Sequence, residues 1–416
     1  MKLYNTLSRT IEPFVPRGDE ITIYVCGITP YDTTHLGHAF TYTSVDILVR
    51  YLESKGFSVR YVQNVTDIDD DILRKAKEVG EDWRVLGNKW TSHYIQDMQA
   101  LNVRPPDFFP RATDAIPEII KWVKSLLEIG VAYESGGSVY FDINSFPEFG
   151  ELSAIPRPEM LLIANERGNH PDDPNKKDPL DFVLWQAQAP SEPAWDSPWG
   201  SGRPGWHIEC STLSTKYLGE TIDIHSGGAD LCFPHHECEI AQVEPITGEK
   251  PFVRYWMHTA MVYHDGDKMS KSLGNLIWVR DLLEKYSDDG LRLYMGVHHY
   301  RQEWSYDESE LDEAEENARL IREAAVIKGG ELTPLDASWA QEKFEQVMED
   351  DLDTVGAVNV LVELAEKIVA SVRDGREIRE AQELIKEMGR VFGLQLGKGV
   401  EMRVEQGWGE HLNRFS

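Results

Sequence analysis

Basic residues are scarce in this sequence: 42 lysines and arginines stand against 71 aspartates and glutamates, a formal charge of −29 over 416 residues. Phosphate backbones are bound through basic patches and released counterions, so this balance does not point to nucleic acid, although patches count for more than totals. Cysteine is scarcer still, at four residues. That excludes a disulfide framework and leaves metal ligation, thiol chemistry or core filling. No apolar run approaches the length of a membrane span, and Met1 to Phe14 has no signal-peptide core, so a cytoplasmic protein without a membrane partner is expected. Internal repeats and low-complexity tracts are absent as well. What is present is an ordinary globular composition, 41% hydrophobic and 27% charged, long enough for two or three domains.

Ile21 to Cys26 is a β-branched and aromatic run that stops at the turn-rich Gly27-Ile28-Thr29-Pro30, and His35 to Leu52 then carries helical apolar spacing. Val59 to Val65 is the next strand-like run. Together they form a βαβ unit, which implies an α/β fold with a parallel sheet covered by helices. Helices are expected from Asp70 to about Leu101 and from Ala115 to Ile129, with a strand at Ser138 to Ile143. From about Phe146 to Gly205 the composition shifts to Pro, Gly, Asp, Asn and Trp, which reads as an irregular, loop-built insertion. Regular patterning resumes at Trp206, with strands at Thr221 to His225 and Val253 to Met257. After Tyr306 the pattern is purely helical: Glu308 to Lys328, Ser338 to Met348, Thr354 to Arg373 and Ile378 to Phe392. Between Asp307 and Asp353 sixteen acidic residues face four basic ones, which marks a charged bundle surface. The expected division is an α/β domain over residues 1–305 (insertion about 110–205, a loop at 264–275), a helical bundle over 306–396 and a tail over 397–416.

Two motifs suit a nucleotide. His35-Leu36-Gly37-His38 sits where the first strand gives way to the first helix. Ligands of open α/β sheets bind at the carboxyl ends of strands, and helix N-termini favour anions. Lys268-Met269-Ser270-Lys271-Ser272 lies in a polar, Gly-flanked stretch, where two lysines can neutralise a leaving pyrophosphate. Each alone reads equally as surface; in this order and at this separation, the pair is specific. A third constellation concerns metal. Cys26 ends the first strand, Cys210 follows Gly205-Trp206-His207-Ile208-Glu209, and Pro234-His235-His236-Glu237-Cys238-Glu239 opens a helix. Zinc prefers thiolate and imidazole with an optional carboxylate. His235 and Glu239, four apart, share a helical face. Spacing alone does not choose among them, and Cys232, His236 and Cys238 compete.

With these segments on the page, the chain resembles the class I aminoacyl-tRNA synthetases, and among them the cysteine-activating branch. The matching stretches are LYNTLSR, VCGITPYDTTHLGHA, YVQNVTDIDD, DFVLWQAQAPSEPAWDSPWGSGRPGWHIEC, IDIHSGGADLCFPHHECEIAQ and DKMSKSLGN, with MEDDLDT at 348–354 opening that branch's helical domain. The resemblance implies a Rossmann-like catalytic domain and an AMP-forming ligase that turns L-cysteine and ATP, with Mg2+, into cysteinyl-adenylate and pyrophosphate. It implies one Zn2+ held by Cys26, Cys210, His235 and Glu239, leaving Cys232 and Cys238 as structural residues. His35, His38, Lys268 and Lys271 take the ATP and pyrophosphate roles. Gly27, Ile28, Thr29, Thr41, Asn64, Val65, Thr66, Trp206, Gly228, Ala229 and Asp230 match positions lining the adenylate pocket, and Val262 matches one that contributes through its backbone.

The branch has two main members, separated by the acceptor: the amine of a glucosaminyl-inositol in mycothiol biosynthesis, or tRNA. Three features resemble the first. GITPYDTTHLGHAF has its spelling of the first motif, where tRNA ligases typically read G-P-T-V-Y-D. Met160-Leu161-Leu162 through Glu166-Arg167-Gly168-Asn169-His170-Pro171 resembles its loop motif. The anticodon-reading domain of the tRNA ligases has no recognisable counterpart in Gly397 to Ser416, and the acidic bundle would repel a tRNA stem. Two features oppose: Glu239 is a carboxylate that the mycothiol enzymes generally lack, and Asn169-His170 replaces their Gly-Asp. The expectation is therefore transfer to the amino-sugar, with Asp230 or His207 as a candidate base for the amine, and tRNA as the alternative acceptor.

Overall fold

The computed structural model describes residues 1–32, 34–269, 274–396 and 401–415, and at 268 and 401–406 the backbone alone. Lys271 lies outside the described residues. A short antiparallel hairpin, β1 (Lys2–Asn5) and β2 (Thr10–Pro13), leads into β3 (Glu20–Ile28). Ile21, Ile23, Tyr24 and Val25 of β3 are all buried, so both faces of the strand are covered, as in parallel sheets flanked by helices. The chain crosses through α1 (Leu36–Ser54) and returns as β4 (Ser58–Val65), parallel to β3 from Glu20↔Ser58 to Ile28↔Val65. Then follow α2 (Asp70–Val79), α3 (Trp83–Ala100) and α4 (Ile116–Glu128).

The insertion is more regular than its composition suggests. β5 (Ala132–Ser135), β6 (Ser138–Phe141), β7 (Phe182–Ala187) and β8 (Gly202–Pro204) form an antiparallel sheet in that order, with α5 (Arg157–Glu166) beside it. The six-residue run of β7 pairs on both sides, and its long Pro- and Asp-rich flanks hide it from a composition window. Met160-Leu161-Leu162, expected in a loop, lie on α5. The parallel theme resumes with α6 (Trp206–Leu218), β9 (Ile222–Gly228), α7 (Glu237–Thr247) and β10 (Val253–Thr259). The main sheet has the order β10-β9-β3-β4 and is parallel throughout. Strand order reverses between β3 and β9, which makes the crevice at their carboxyl ends the natural ligand site.

Beyond the sheet, β11 (Val262–His264), β12 (Asp267–Lys268) and β13 (Trp304–Ser305) form a small three-stranded sheet, with α8 (Val279–Leu283) and α9 (Asp288–Gly296) between them. The bundle is α10 (Glu308–Val326), α11 (Ser338–Met348), α12 (Thr354–Arg373) and α13 (Arg379–Val391), within a few residues of the expected bounds. Asp353 caps α12 by accepting from Gly356 N–H at 2.9 Å. The bundle shares one continuous apolar core with β3, α1 and α3.

The expected tail is instead partly helical and docked. α14 (Glu401–Leu412) packs on α3, with Trp408 fully buried and its indole N–H donating to Val103 O at 2.7 Å. Arg111 lies 4.2 Å over the Phe415 ring. A sparse set of anchors, Trp408 and Phe415, holds the segment, and nothing local in a polar stretch announces where an aromatic will dock. Trp408→Phe keeps the packing and orphans the Val103 carbonyl, so a loss of about 1 kcal/mol in denaturant unfolding is expected.

Candidate active site

The site starts at the end of β3. A Cβ on Gly27 would sit 1.5 Å from Asn64 O, so only glycine lets β3 and β4 close here, where the register also slips between Val25 and Ile28. The Gly27 N–H donates to Asn64 Oδ1 at 2.8 Å, and Asn64 Nδ2 donates to Thr66 Oγ1 at 3.2 Å. Asn64, Val65 and Thr66, widely spaced from residue 27 in sequence, thereby form one floor. Thr41 Oγ1 meets Thr259 Oγ1 at 2.7 Å and ties α1 to β10.

His35 is the N-cap of α1: its Nδ1 accepts from His38 N–H at 3.4 Å, and the two rings stack with centroids 3.7 Å apart. The segment after residue 273 pairs with this turn. Leu36 N–H donates to Ile277 O at 2.8 Å and Val279 N–H to Thr34 O at 3.1 Å. Residues 277–279, which follow the second nucleotide motif in sequence, are thus joined to the first motif at the mouth of the crevice.

A cavity of about 1180 Å³ opens there. Of the residues expected at the site, Cys26, Gly27, Ile28, Thr29, His35, His38, Thr41, Thr66, Trp206, Cys210, Gly228, Asp230, His235 and Val262 line it. Asn64, Val65 and Glu239 are buried behind the lining, and Ala229 is exposed beside it. Sequence reasoning passed over Tyr31, Arg74, Lys176 and Arg203, which also face the cavity. Asp230, one of the two candidate bases, pairs with Arg167, whose Nη1 lies 3.3 Å from Asp230 Oδ2.

At the cavity's inner end four donors converge. The ligand atoms of Cys26, Cys210, His235 and Glu239 all lie within 4.8 Å of one another, and all four residues are buried. Cys26 Sγ is 3.8 Å from Cys210 Sγ and 3.6 Å from Glu239 Oε1, and His235 Nε2 is 3.2 Å from Glu239 Oε1. His235 Nε2 makes no hydrogen bond although it is buried. Burial, then the neighbouring Cys210 and Glu239, push the Cys26 thiol well up, and burial drives His235 well down, so the imidazole is neutral. Two thiols, a neutral imidazole with a free nitrogen and a carboxylate, all out of water, form a donor set that a divalent cation would satisfy.

The ligand atoms of a second set, Cys26, His225, His236 and Glu239, also lie within 4.8 Å of one another. His236 Nε2 lies 3.3 Å from Cys26 Sγ, and His225 Nε2 3.0 Å from Glu239 Oε2. His236 is further tied to His258 at 2.8 Å, and His258 to Thr6 Oγ1 at 2.7 Å. His225 and His236 do not reach the cavity, whereas Cys210 and His235 line it. Of the first set Cys26, Cys210 and His235 reach the crevice; of the second only Cys26 does. Of the two competing histidines, His235 is the one on the side of the kinked turn before α7 that opens to the cavity. Cys238 is fully buried away from both sets, and Cys232 is half-buried.

Comparisons with known proteins agree in outline. Residues 13–316 match the family described as tRNA synthetases class I (C) catalytic domain, and residues 343–397 match the DALR domain. A cysteine–tRNA ligase of Dehalococcoides mccartyi (strain ATCC BAA-2266 / KCTC 15142 / 195) is 44% identical over 401 residues, 95% of this chain and 86% of its own length. One from Thermococcus onnurineus (strain NA1) is 44% identical with the same coverage, and one from Heliobacterium modesticaldum (strain ATCC 51547 / Ice1) is 41% identical, covering 96% and 88%. Among solved structures, Mycobacterium tuberculosis methionyl-tRNA synthetase in complex with methionyl-adenylate superposes with a TM-score of 0.63 at 16% identity, covering 95% of this chain and 93% of that one. That likeness concerns the fold alone. No helix among the described residues is long and apolar enough to cross a membrane.

Proposed function

The chain belongs to the class I tRNA synthetase (C) family and is an ATP-dependent, cysteine-activating ligase; from that premise we propose that its acceptor is the 3′ end of a cysteine tRNA rather than a small amino-sugar. One observation carries the reading: relatives 44% identical over 95% of the chain are named for that acceptor. The DALR match and the carboxylate Glu239 support it too. The amino-sugar expectation rested on a motif spelling, a loop, the lack of a recognisable anticodon-reading domain and an acidic bundle, and it gives way to likeness along nearly the whole chain. Many of the carboxylates of α10 and α11 lie exposed on the bundle rather than in the cavity, where Arg74, Arg167, Lys176 and Arg203 stand among seven carboxylates.

In the first step a carboxylate oxygen of cysteine attacks the α-phosphorus of ATP, and pyrophosphate leaves. His35 and His38, at the N-terminus of α1 and on the cavity wall, are assigned to the phosphates of ATP. Lys268 and Lys271 are assigned to the departing pyrophosphate, and Gly228 and Asp230 to the ribose side of the pocket. Cys26, Cys210, His235 and Glu239 are assigned to zinc, which when bound offers a soft site that accepts a thiolate and refuses a hydroxyl, so serine is rejected without editing. In the second step a ribose hydroxyl attacks the adenylate carbonyl and AMP leaves. Labelled cysteine, ATP and total tRNA should give tRNA-borne label that mild base removes, since the bond is an ester. Base-stable label on added glucosaminyl-inositol, with none on tRNA, would return the acceptor to the amino-sugar.

A further inference from the structure

His207, a candidate base only for the amino-sugar acceptor set aside above, touches a metal-site donor from behind. Its Nδ1 lies 2.8 Å from His235 Nδ1, a distance that requires one of the two nitrogens to carry the shared hydrogen. His235 Nε2 is the atom that faces Glu239 and makes no hydrogen bond. A neutral imidazole can offer a lone pair at Nε2 only if its hydrogen is on Nδ1. If His207 were the donor instead, the His235 hydrogen would move to Nε2 and block the donor position.

We propose that His207 is a positioning residue for the metal site: its Nδ1 accepts the Nδ1–H of His235 and so keeps His235 Nε2 free to face Cys26, Cys210 and Glu239. The inference rests on the metal reading of that cluster. Neighbouring rings fix the geometry. Trp206 stacks on His235 with centroids 4.4 Å apart, and Phe182 meets the His207 ring edge-on at 5.6 Å. His207 and Cys210 are three apart on α6, so one helical face supplies a ligand and also orients the ligand that arrives from the turn before α7. Partners of this kind, donating to or accepting from the rear nitrogen of a ligating histidine, typically govern affinity by about 10- to 100-fold.

The test compares two replacements of similar size. Asparagine at His207 places Oδ1 close to where Nδ1 stood and keeps an acceptor; leucine fills the space without one. Zinc affinity of the whole protein is measured by chelator competition, and the cobalt-substituted spectrum reports ligand geometry. His207→Leu should weaken zinc by about 10- to 100-fold and alter the cobalt bands, whereas His207→Asn should stay within a few-fold of the wild type. Equal losses in both variants, or an unchanged His207→Leu, would overturn the proposal. A measurement on the unmodified protein stands apart from folding of the variants: nitrogen-15 histidine spectra should place the His235 hydrogen on Nδ1 and the His207 hydrogen on Nε2. The opposite assignment also overturns it. A wild-type protein that binds no zinc would sink the metal reading itself, a distinguishable result.

Discussion

Cys210→Ser should strip zinc and cysteine selectivity together. Cys210 is buried on α6, its Sγ 3.8 Å from Cys26 Sγ, and with Cys26 and His235 it is one of the three residues of the donor set that line the cavity. A serine hydroxyl is a hard, protonated ligand at neutral pH and replaces a thiolate poorly. Removing a ligand costs more than removing a partner behind one, so zinc affinity should fall by more than about 100-fold. Metal content after dialysis should drop well below one per chain. Cysteine-dependent ATP–pyrophosphate exchange should fall at least as far, and what remains should no longer prefer cysteine over serine. Stoichiometric zinc in the variant would remove Cys210 from the ligand set. Selectivity retained without zinc would refute the proposed basis of discrimination altogether.

Arg292→Ala should strongly destabilise the fold. Arg292, on α9, is fully buried and reaches three partners: Asp46 of α1 through a salt bridge, Phe392 O after α13, and Leu101 O at 2.7 Å. Asp46 also accepts from Arg50 Nε and from Arg104 N–H, each at 2.8 Å. The helical bundle, the helix carrying His35 and His38, and the end of α3 therefore meet on one guanidinium. Gly393 belongs to the same device: it sits at φ +68°, and a Cβ there would lie 2.5 Å from Arg292 Cζ. Arg50 stays on Asp46 in the variant, but one buried ion-pair partner is lost and the carbonyls of Phe392 and Leu101 are orphaned together, which costs about 3–5 kcal/mol.

The pH dependence provides a check on that assignment. Burial alone would raise the Asp46 carboxyl, but Arg50 and Arg292 outweigh it and hold the group below its ordinary value. A carboxyl with a folded value below the unfolded one, about 3.9, contributes stability at higher pH and loses it as pH falls through the folded value. The stability gap between wild type and Arg292→Ala should be full near neutrality and narrow below about pH 4. A gap that stays constant in acid would mean that the carbonyl contacts, not the ion pair, carry the effect.

Much of this was legible in the chain. The βαβ opening, the four bundle helices and the family follow from local pattern and motif, because strand and helix periodicity and a Gly-rich turn act over neighbouring residues. Cys26, Cys210, His235 and Glu239 could be matched by likeness, yet spacing left His236 in contention. The antiparallel sheet of the insertion was missed because β7 is a short apolar run within a Pro- and Asp-rich stretch. The docking of α14 was missed because it depends on Trp408 finding Val103, some three hundred residues away.

The sequence by itself determined the fold class, the nucleotide motifs and the kind of chemistry, since these are written in residue types at short range and in motif order. The tertiary structure alone decided which histidine faces the cavity, that His207 stands behind His235, and that Arg292 ties the bundle to α1. Each of these depends on how elements distant in the chain are rotated and packed against one another. A ring nitrogen or a guanidinium acquires its role from the atoms within about 3 Å of it, and only packing brings those atoms there.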